Sequence, residues 1–363
     1  MKSKGKLQWG YIFIILFTYL VVLSGCSTSS GGNTSISSGY PQTTISESPT
    51  PPLELSETET PTEQITTTDP ETPPPPSQIT RNLTVHIIDV GQADSILIML
   101  PNGENMLIDG GEANKSSVVQ SYLNQNNITT IDYLVATHPH SDHIGGLPGI
   151  INNFTIKYVY MPNKAHTTNA YNNLITSISN KNLRPIAAKA GVNILSLPNI
   201  QIDIIAPMHD NYSELNDFSA VIKVTYENTS FLFMGDAETT SERDITADVS
   251  ANVLKIGHHG SDTSTSEEFL KHVNPAYAVI SSGKGNSYGH PTDIILQRLN
   301  NAGVAVFRTD MSGTVIFTSD GKNITVNVDA TPYQQKAYSD SRERRPKTTL
   351  MLSLSRNQLK AAA

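Results

Sequence analysis

Between Leu83 and Val328 the chain repeats one pattern: a short apolar, β-branched run closed by Gly, Asn, Asp or Pro. The runs read LTVHIIDV, SILIML, NMLIDG, IDYLVAT, YVYM, IQIDIIA, AVIKVTY, TSFLFMGD, NVLKIG, YAVISS, VAVFRT, GTVIFTS and NITVNV. They are short for helices, and their composition suits strands. Helix-period stretches stand between them: SVVQSYLNQNN after the first three runs, NNLITSISNKNL in mid-chain, then SEEFLKHVN and PTDIILQRLNNAG. The last has Thr292 or Asp293 near its start and Gly303 as a stop. Asp320-Gly321 within SDGK predicts a hairpin, because Asp-Gly supplies the positive φ angles of a tight turn. Opening hairpins followed by alternating strands and helices predict an α/β sandwich, sheets covered by helices, as one domain over residues 82–330.

The ends of the chain have a different composition. Lys2, Lys4 and Lys6 precede the apolar run WGYIFIILFTYLVVL and the small-residue stretch Leu23-Ser24-Gly25-Cys26. A basic start, a short apolar stretch and a small-residue cleavage site predict an export signal over residues 1–26. LSGC resembles the lipobox of bacterial lipoproteins, which implies lipidation of Cys26 and an extracytoplasmic, membrane-anchored protein. Cys26 is the only cysteine, so disulfides are excluded and thiolate metal ligation is disfavoured. Residues 27–81 are rich in Ser, Thr, Pro and Glu, with few large apolar side chains. Such a stretch cannot bury enough surface to offset its chain entropy and is expected to be a disordered stalk. Residues 331–363, with SRERRPK and LSLSRNQLKAAA, are basic without an apolar period and are expected to form a poorly ordered tail.

The chemistry concentrates in ATHPHSDHIGGL, directly after the apolar run IDYLV. A buried strand would deliver His138 at its end, and Pro139 keeps the next link extended so that His138 and His140 can point at one site. Asp142 and His143 follow at the start of a turn into helix. Imidazole and carboxylate suit zinc or a similar first-row ion, at roughly 2.0–2.2 Å. More candidates end later strands: Asp236 in SFLFMGDAE, His258 and His259 in VLKIGHHGS, and His290 in AVISSGKGNSYGHP. One His or Asp after a strand is commonplace; their shared position at strand ends is what points to a site.

HPHSDH, GDAE, HHGS and YGHP together resemble the metallo-β-lactamase fold superfamily. The likeness narrows to the group containing the extracellular domain of ComEC-type competence proteins through IIDVGQADSILI, MLIDGG and NDFSAVI. The resemblance implies an αββα sandwich of two mixed β-sheets flanked by helices, with a two-metal hydrolytic centre, zinc or manganese. It implies that His138 and His140 bind one ion, that Asp142 and His143 bind the other, and that Asp236 bridges them. His290 would complete the second ion's shell and His259 the first, leaving His258 to contact substrate. Asp89 would support the ligands from behind. Where many members of the superfamily carry a further histidine ligand, Asn216 and Asp217 stand here, and the His-His pair is expected to replace it.

Two ions can activate a water and clamp the oxygens of an in-line displacement, which suits phosphodiesters. Ser261, Lys284 and Tyr288 lie in the late loops, where they could bind phosphate oxygens or protonate a leaving group. The ComEC-type resemblance implies phosphodiester hydrolysis, DNA included. Between Asn82 and Asp329, however, 24 acidic residues face 14 Lys and Arg, and no basic stripe for an extended nucleic acid is present. A cell-wall or small-molecule ester is therefore an equal candidate. The alternatives are a metallo-hydrolase of lactam, lactone or thioester bonds, and a non-catalytic surface binding protein on the same fold. The intact set of ligand residues favours an enzyme.

Overall fold

The computed structural model describes residues 82–333. The expected export signal with Cys26, the 27–81 stalk and residues 334–363 of the tail lie outside the described residues. Among the described residues fifteen strands form two sheets. The first holds β1 (Leu83–Ile87), β2 (Ile96–Met99), β3 (Asn105–Ile108), β4 (Thr130–Val135), β5 (Thr155–Met161), β6 (Pro185–Ala187), β14 (Val315–Ser319) and β15 (Ile324–Val326), in the order β15-β14-β1-β2-β3-β4-β5-β6. The second holds β7 (Val192–Leu197), β8 (Ile200–Ala206), β9 (Val221–Tyr226), β10 (Thr229–Phe233), β11 (Val253–Lys255), β12 (Tyr277–Ile280) and β13 (Ala305–Arg308), ordered β13-β12-β11-β10-β9-β8-β7.

Both sheets are mixed in the same way. Antiparallel neighbours make up one half, and parallel neighbours the other: β3-β4-β5-β6 in the first sheet and β10-β11-β12-β13 in the second. The helices cover the outer faces. Val119 and Leu123 of α1 (Ser116–Gln125), Leu147, Ile150 and Ile151 of α3 (Leu147–Asn153; a single turn, α2, Ser141–Ile144, precedes it) and Leu174 and Ile178 of α4 (Asn169–Asn180) pack with Leu97, Leu107 and Leu134. After the short α5 (Thr239–Asp244), α6 (Glu267–Val273) and α7 (Asp293–Asn301) pack Phe269, Leu270, Ile295 and Leu299 against Leu232, Leu254 and Ile280. The expected αββα sandwich is the fold observed.

Side-chain alternation explains why the strands read as continuous apolar runs. Ile96 and Ile98 enter the core between the sheets while Leu97 faces the outer helices. In β10, Phe231 and Phe233 point inward and Leu232 outward. A strand buried on both faces has no polar alternate positions. Each fully buried aliphatic or aromatic side chain contributes roughly 1.5–3 kcal/mol, and Phe317 of β14 ties the sheets together by meeting Phe231 and Phe307 edge-on at 6.3 and 5.5 Å. The four expected helices are present, with the Thr292 side chain accepting from Ile295 N as the N-cap of α7. The 320–321 hairpin turn is present too, Gly321 having φ 90°. The edge strands β6 and β7 were not legible, because edge positions are exposed and carry mixed sequence, Pro185 included. Among the described residues no helix is long and apolar enough to cross a membrane.

His86 of β1 lies under α1, with Nδ1 2.8 Å from the Tyr122 hydroxyl and Nε2 3.0 Å from Thr84 Oγ1. Burial lowers its pKa to about 4. As pH falls below about 6.5, the unfolded chain takes a proton that the folded chain refuses until about pH 4. Stability should therefore decline across that window by on the order of 3 kcal/mol. Urea unfolding at pH 7 and pH 4 should show this loss reduced in His86→Asn; an equal loss in both proteins would contradict it.

Candidate metal centre

Parallel strands in each sheet end on the same side, and the polar residues of interest follow those ends. In the first sheet Asp109 follows β3, and Thr137, His138 and His140 follow β4. In the second, Asp236 follows β10, His258 and His259 follow β11, and the 281–290 loop follows β12. The turn Asp109-Gly110-Gly111 is fitted to the start of α2. Gly110 N donates to His143 O at 2.8 Å, and Gly146 N to Gly111 O at 2.8 Å. A Cβ on Gly146 would stand 2.0 Å from Gly110 O, so only glycine permits this approach. This close approach holds Asp142 and His143 against the strand ends and accounts for the Gly-Gly that follows the histidine motif.

Ligand atoms of Asp142, His143, Asp236 and His259 all lie within 4.8 Å of one another. His143 Nε2 is 3.2 Å from Asp236 Oδ1, and His259 Nε2 is 3.2 Å from Asp142 Oδ2. His138 Nε2 stands 3.8 Å from Asp236 Oδ2 and 2.9 Å from His140 Nδ1. Behind the histidines are carboxylates and carbonyls. Asp109 Oδ2 accepts from His143 Nδ1 at 2.8 Å and from Thr137 Oγ1 at 2.7 Å, and its Oδ1 accepts from Thr137 N at 2.8 Å. Ser281 O is 3.1 Å from His259 Nδ1, with Asp94 Oδ1 3.5 Å from the same nitrogen. Asp94 in turn pairs with Lys255 Nζ at 2.9 Å, a lysine only 1% exposed. Holding Nδ1 in this way fixes the tautomer and leaves Nε2 facing the centre.

The electrostatics call for a cation. Burial opposes charge on Asp236, yet His143, His259 and His138 outweigh it and hold the carboxyl well below its ordinary range. Burial likewise opposes the Asp142 carboxylate, but His143 and the hydrogen bond from His259 bring it down to about 2. Burial also works against protonated His259 and loses to Asp236, Asp94 and Asp142, which raise it to about 10. His138 goes the other way: burial first, then His143, keeps it well below the imidazole range and neutral. The cluster therefore stabilises positive charge on the nitrogens closest to the carboxylates. His143 Nε2 and Asp236 Oδ1 are buried without a hydrogen bond, their 3.2 Å approach being out of line for one. Orphaned donors and acceptors of this kind, on imidazole and carboxylate, fit a divalent ion of the zinc type.

The structure brings some of the residues singled out in the sequence together and sets others apart. His138, His140, Asp142, His143, Asp236, His258, His259 and His290 come together at one end of the sandwich. A cavity of about 280 Å³ opens there, lined by all of these except His138 and His143, and by Tyr288. His259 is grouped with Asp142 and His143, the place expected for His290, whereas His290 sits on the cavity wall with its ring 5.6 Å from that of His258. The cause is backbone: His258 and His259 have φ 48° and 52°, so ring direction follows the turn rather than the spacing. Asp89 is a second correction. It is exposed and its Oδ1 accepts from Gly91 N at 3.1 Å. Asp94, from the same loop, and Asp109 take the supporting place instead. Lys284 is exposed and does not line the cavity, so it is not brought to the ligands. Tyr288 is 72% exposed at the mouth and stacks on His290 at 5.8 Å. Asp109, Asp94, Glu238 and Lys255 were missed, although MLIDGG carries its Asp at a strand end like the others.

Asp109→Asn turns an acceptor into a donor facing His143 Nδ1 and should weaken divalent-cation binding by about 10–100-fold. Zinc competition with a chromophoric chelator measures this, and an unchanged affinity would remove Asp109 from the centre.

Residues 88–172 match the family model described as Metallo-beta-lactamase superfamily. The chain is 29% identical over 251 residues to ComE operon protein 3 of Bacillus subtilis (strain 168), covering 64% of this chain and 32% of that protein. It is 31% identical over 241 residues to Competence protein ComA of Neisseria gonorrhoeae, with the same coverages of 64% and 32%. The chain thus spans about a third of the length of these relatives. Among solved structures, the metallo-beta-lactamase fold protein YhfI from Bacillus subtilis aligns at TM-score 0.44 and 11% identity, over 66% of this chain and 100% of that one. The chain is thus similar to the metallo-β-lactamase superfamily over residues 88–172, and ComEC-type competence proteins are among its sequence relatives over about 64% of its length.

Proposed function

We propose that this protein is a hydrolase that holds two divalent ions, zinc or manganese, and cleaves phosphodiester bonds while anchored to a membrane through Cys26. The observation that carries the reading is the cavity of about 280 Å³, whose floor is the donor set of Asp142, Asp236 and His259 and whose rim is Tyr288 and His290. Two ions held by that set would supply a water acidified toward neutral pH and positive charge against the phosphoryl oxygens.

The chain's own groups account for the rest. Asp142 and Asp236 stay ionised at neutral pH and keep the floor anionic. His290 is held below the ordinary imidazole range by burial and by His258, so its ring is neutral where Tyr288 stacks on it. The exposed Tyr288 hydroxyl is the donor available to a phosphoryl or leaving oxygen at the mouth. Likeness to competence proteins supports a nucleic-acid diester. The excess of 24 acidic over 14 basic residues favours a short strand or a small diester over a long duplex.

The full chain, loaded with zinc or with manganese, should hydrolyse bis(p-nitrophenyl) phosphate, and Asp142→Ala should lose at least about a hundredfold in kcat/KM, near 3 kcal/mol of transition-state stabilisation. No turnover with two ions bound would favour lactam or thioester substrates. The anchor has its own test: mass spectrometry of the protein recovered from membranes should find acyl chains on Cys26 that are absent in Cys26→Ser, and an unmodified Cys26 would overturn lipidation there.

A further inference from the structure

The adjacent histidines of the HHGS turn are equipped alike. Both sit in the left-handed region, His258 at φ 48°, ψ 48° and His259 at φ 52°, ψ 21°. Side chains other than glycine adopt this conformation seldom, and it persists where the surroundings impose it. The consequence is two rings 6.3 Å apart and inclined at 64°. His259 has Nδ1 against Ser281 O at 3.1 Å and Nε2 3.7 Å from Asp236 Oδ2. His258 repeats the arrangement with different partners. Its Nδ1 is 3.1 Å from Glu238 Oε1 and 3.2 Å from Thr263 Oγ1, and its Nε2 is 3.9 Å from the same Asp236 Oδ2. His138 Nε2 reaches that oxygen too, at 3.8 Å.

Glu238 is built into place for this contact. Its Oε1 accepts from Asn216 Nδ2 at 3.0 Å and from Thr263 Oγ1 at 3.0 Å, and its backbone N donates to Asp217 Oδ1 at 3.1 Å. Asn216 Nδ2 also lies 3.4 Å from His258 Nδ1. Thr263 Oγ1 gives its one proton to Glu238 Oε1 and therefore accepts from His258 Nδ1, so the proton rests on Nδ1 and the lone pair on Nε2, 3.9 Å from Asp236 Oδ2. An acceptor held in place behind an imidazole, here Thr263 backed by Glu238, is the arrangement that orients a metal-binding histidine. A substrate-contacting histidine would not need its free nitrogen aimed at a buried carboxylate.

We propose that His258 is itself a metal ligand, held for that task by Glu238. It serves the ion of His138 and His140, while His259 serves the ion of Asp142 and His143. The proposal rests on the two-ion reading of the centre, and the experiment separates the two. The full-length protein, its His258→Ala and Glu238→Gln variants, and His259→Ala are dialysed against buffered free zinc, and ions per chain are counted by plasma mass spectrometry. Cobalt-loaded samples give the d–d absorption of each site.

The wild type should retain two ions and His258→Ala one. Glu238→Gln should keep both at saturation but bind one of them about 10–100-fold more weakly. His258→Ala and His259→Ala should leave different residual cobalt spectra, because different sites survive. Circular dichroism of the metal-free proteins controls for folding, and the near-isosteric Glu238→Gln carries the test if His258→Ala misfolds. Two ions at wild-type affinity and an unaltered cobalt spectrum in both His258→Ala and Glu238→Gln would overturn the ligand assignment alone. Fewer than two ions in the wild type would overturn it together with the two-ion reading.

Discussion

Asp94, Asp109 and Asp236 are buried, and Asp142 is largely so, within one cluster at the meeting of two sheets. Isolated carboxylates would not remain ionised there, because removal from water costs several kcal/mol for each charge. Three of the four face imidazole nitrogens within 3.2 Å, and Asp94 pairs with Lys255. Each neighbour answers part of that demand for positive charge. The sandwich supplies the setting, since strand ends from both sheets can surround the cluster only when they terminate on the same side.

The fold was largely legible because its cause is local. Runs such as TSFLFMGD and NVLKIG are apolar throughout, as strands buried on both faces must be, and the capped, 3.6-period α7 stands out between them. The ligand cluster was legible to the extent that its members crowd into HPHSDH or share the strand-end position. Which carboxylate stands behind the histidines was not. Asp89 and Asp94 lie five residues apart in one loop, and only the path of the backbone turns Asp89 to solvent and Asp94 to Lys255. The same holds for His258 and His259, whose rings part because two successive residues take positive φ. Spacing carries no information about such a turn.

Lys255 shows how closely structure and site are joined. It occupies a strand position whose neighbour Val253 belongs to the core between the sheets, yet it ends in an ammonium group. A buried lysine is tolerated because Asp94 Oδ2 and Ile256 O receive it, each at 2.9 Å. This pair connects the second sheet to the β1–β2 loop of the first. Removing either partner would leave the other buried and uncompensated, so the pair is held as strongly by stability as by any role at the centre.

The direction of β1 has a mechanical meaning. It runs parallel to β3, β4 and β5, since two antiparallel steps restore the original sense, so Ile87 lies at the cavity end and Leu83 at the opposite end. Four steps along the extended strand separate Leu83 from Ile87 by about 13 Å. Whatever precedes Asn82 therefore joins the domain on the face remote from the cavity. A pull transmitted along the chain enters the first sheet through the ladders from β1 to β14 and β2, and the load is taken by backbone hydrogen bonds far from the ligands. The cavity therefore lies at the opposite end of β1 from the residue where the chain enters the domain.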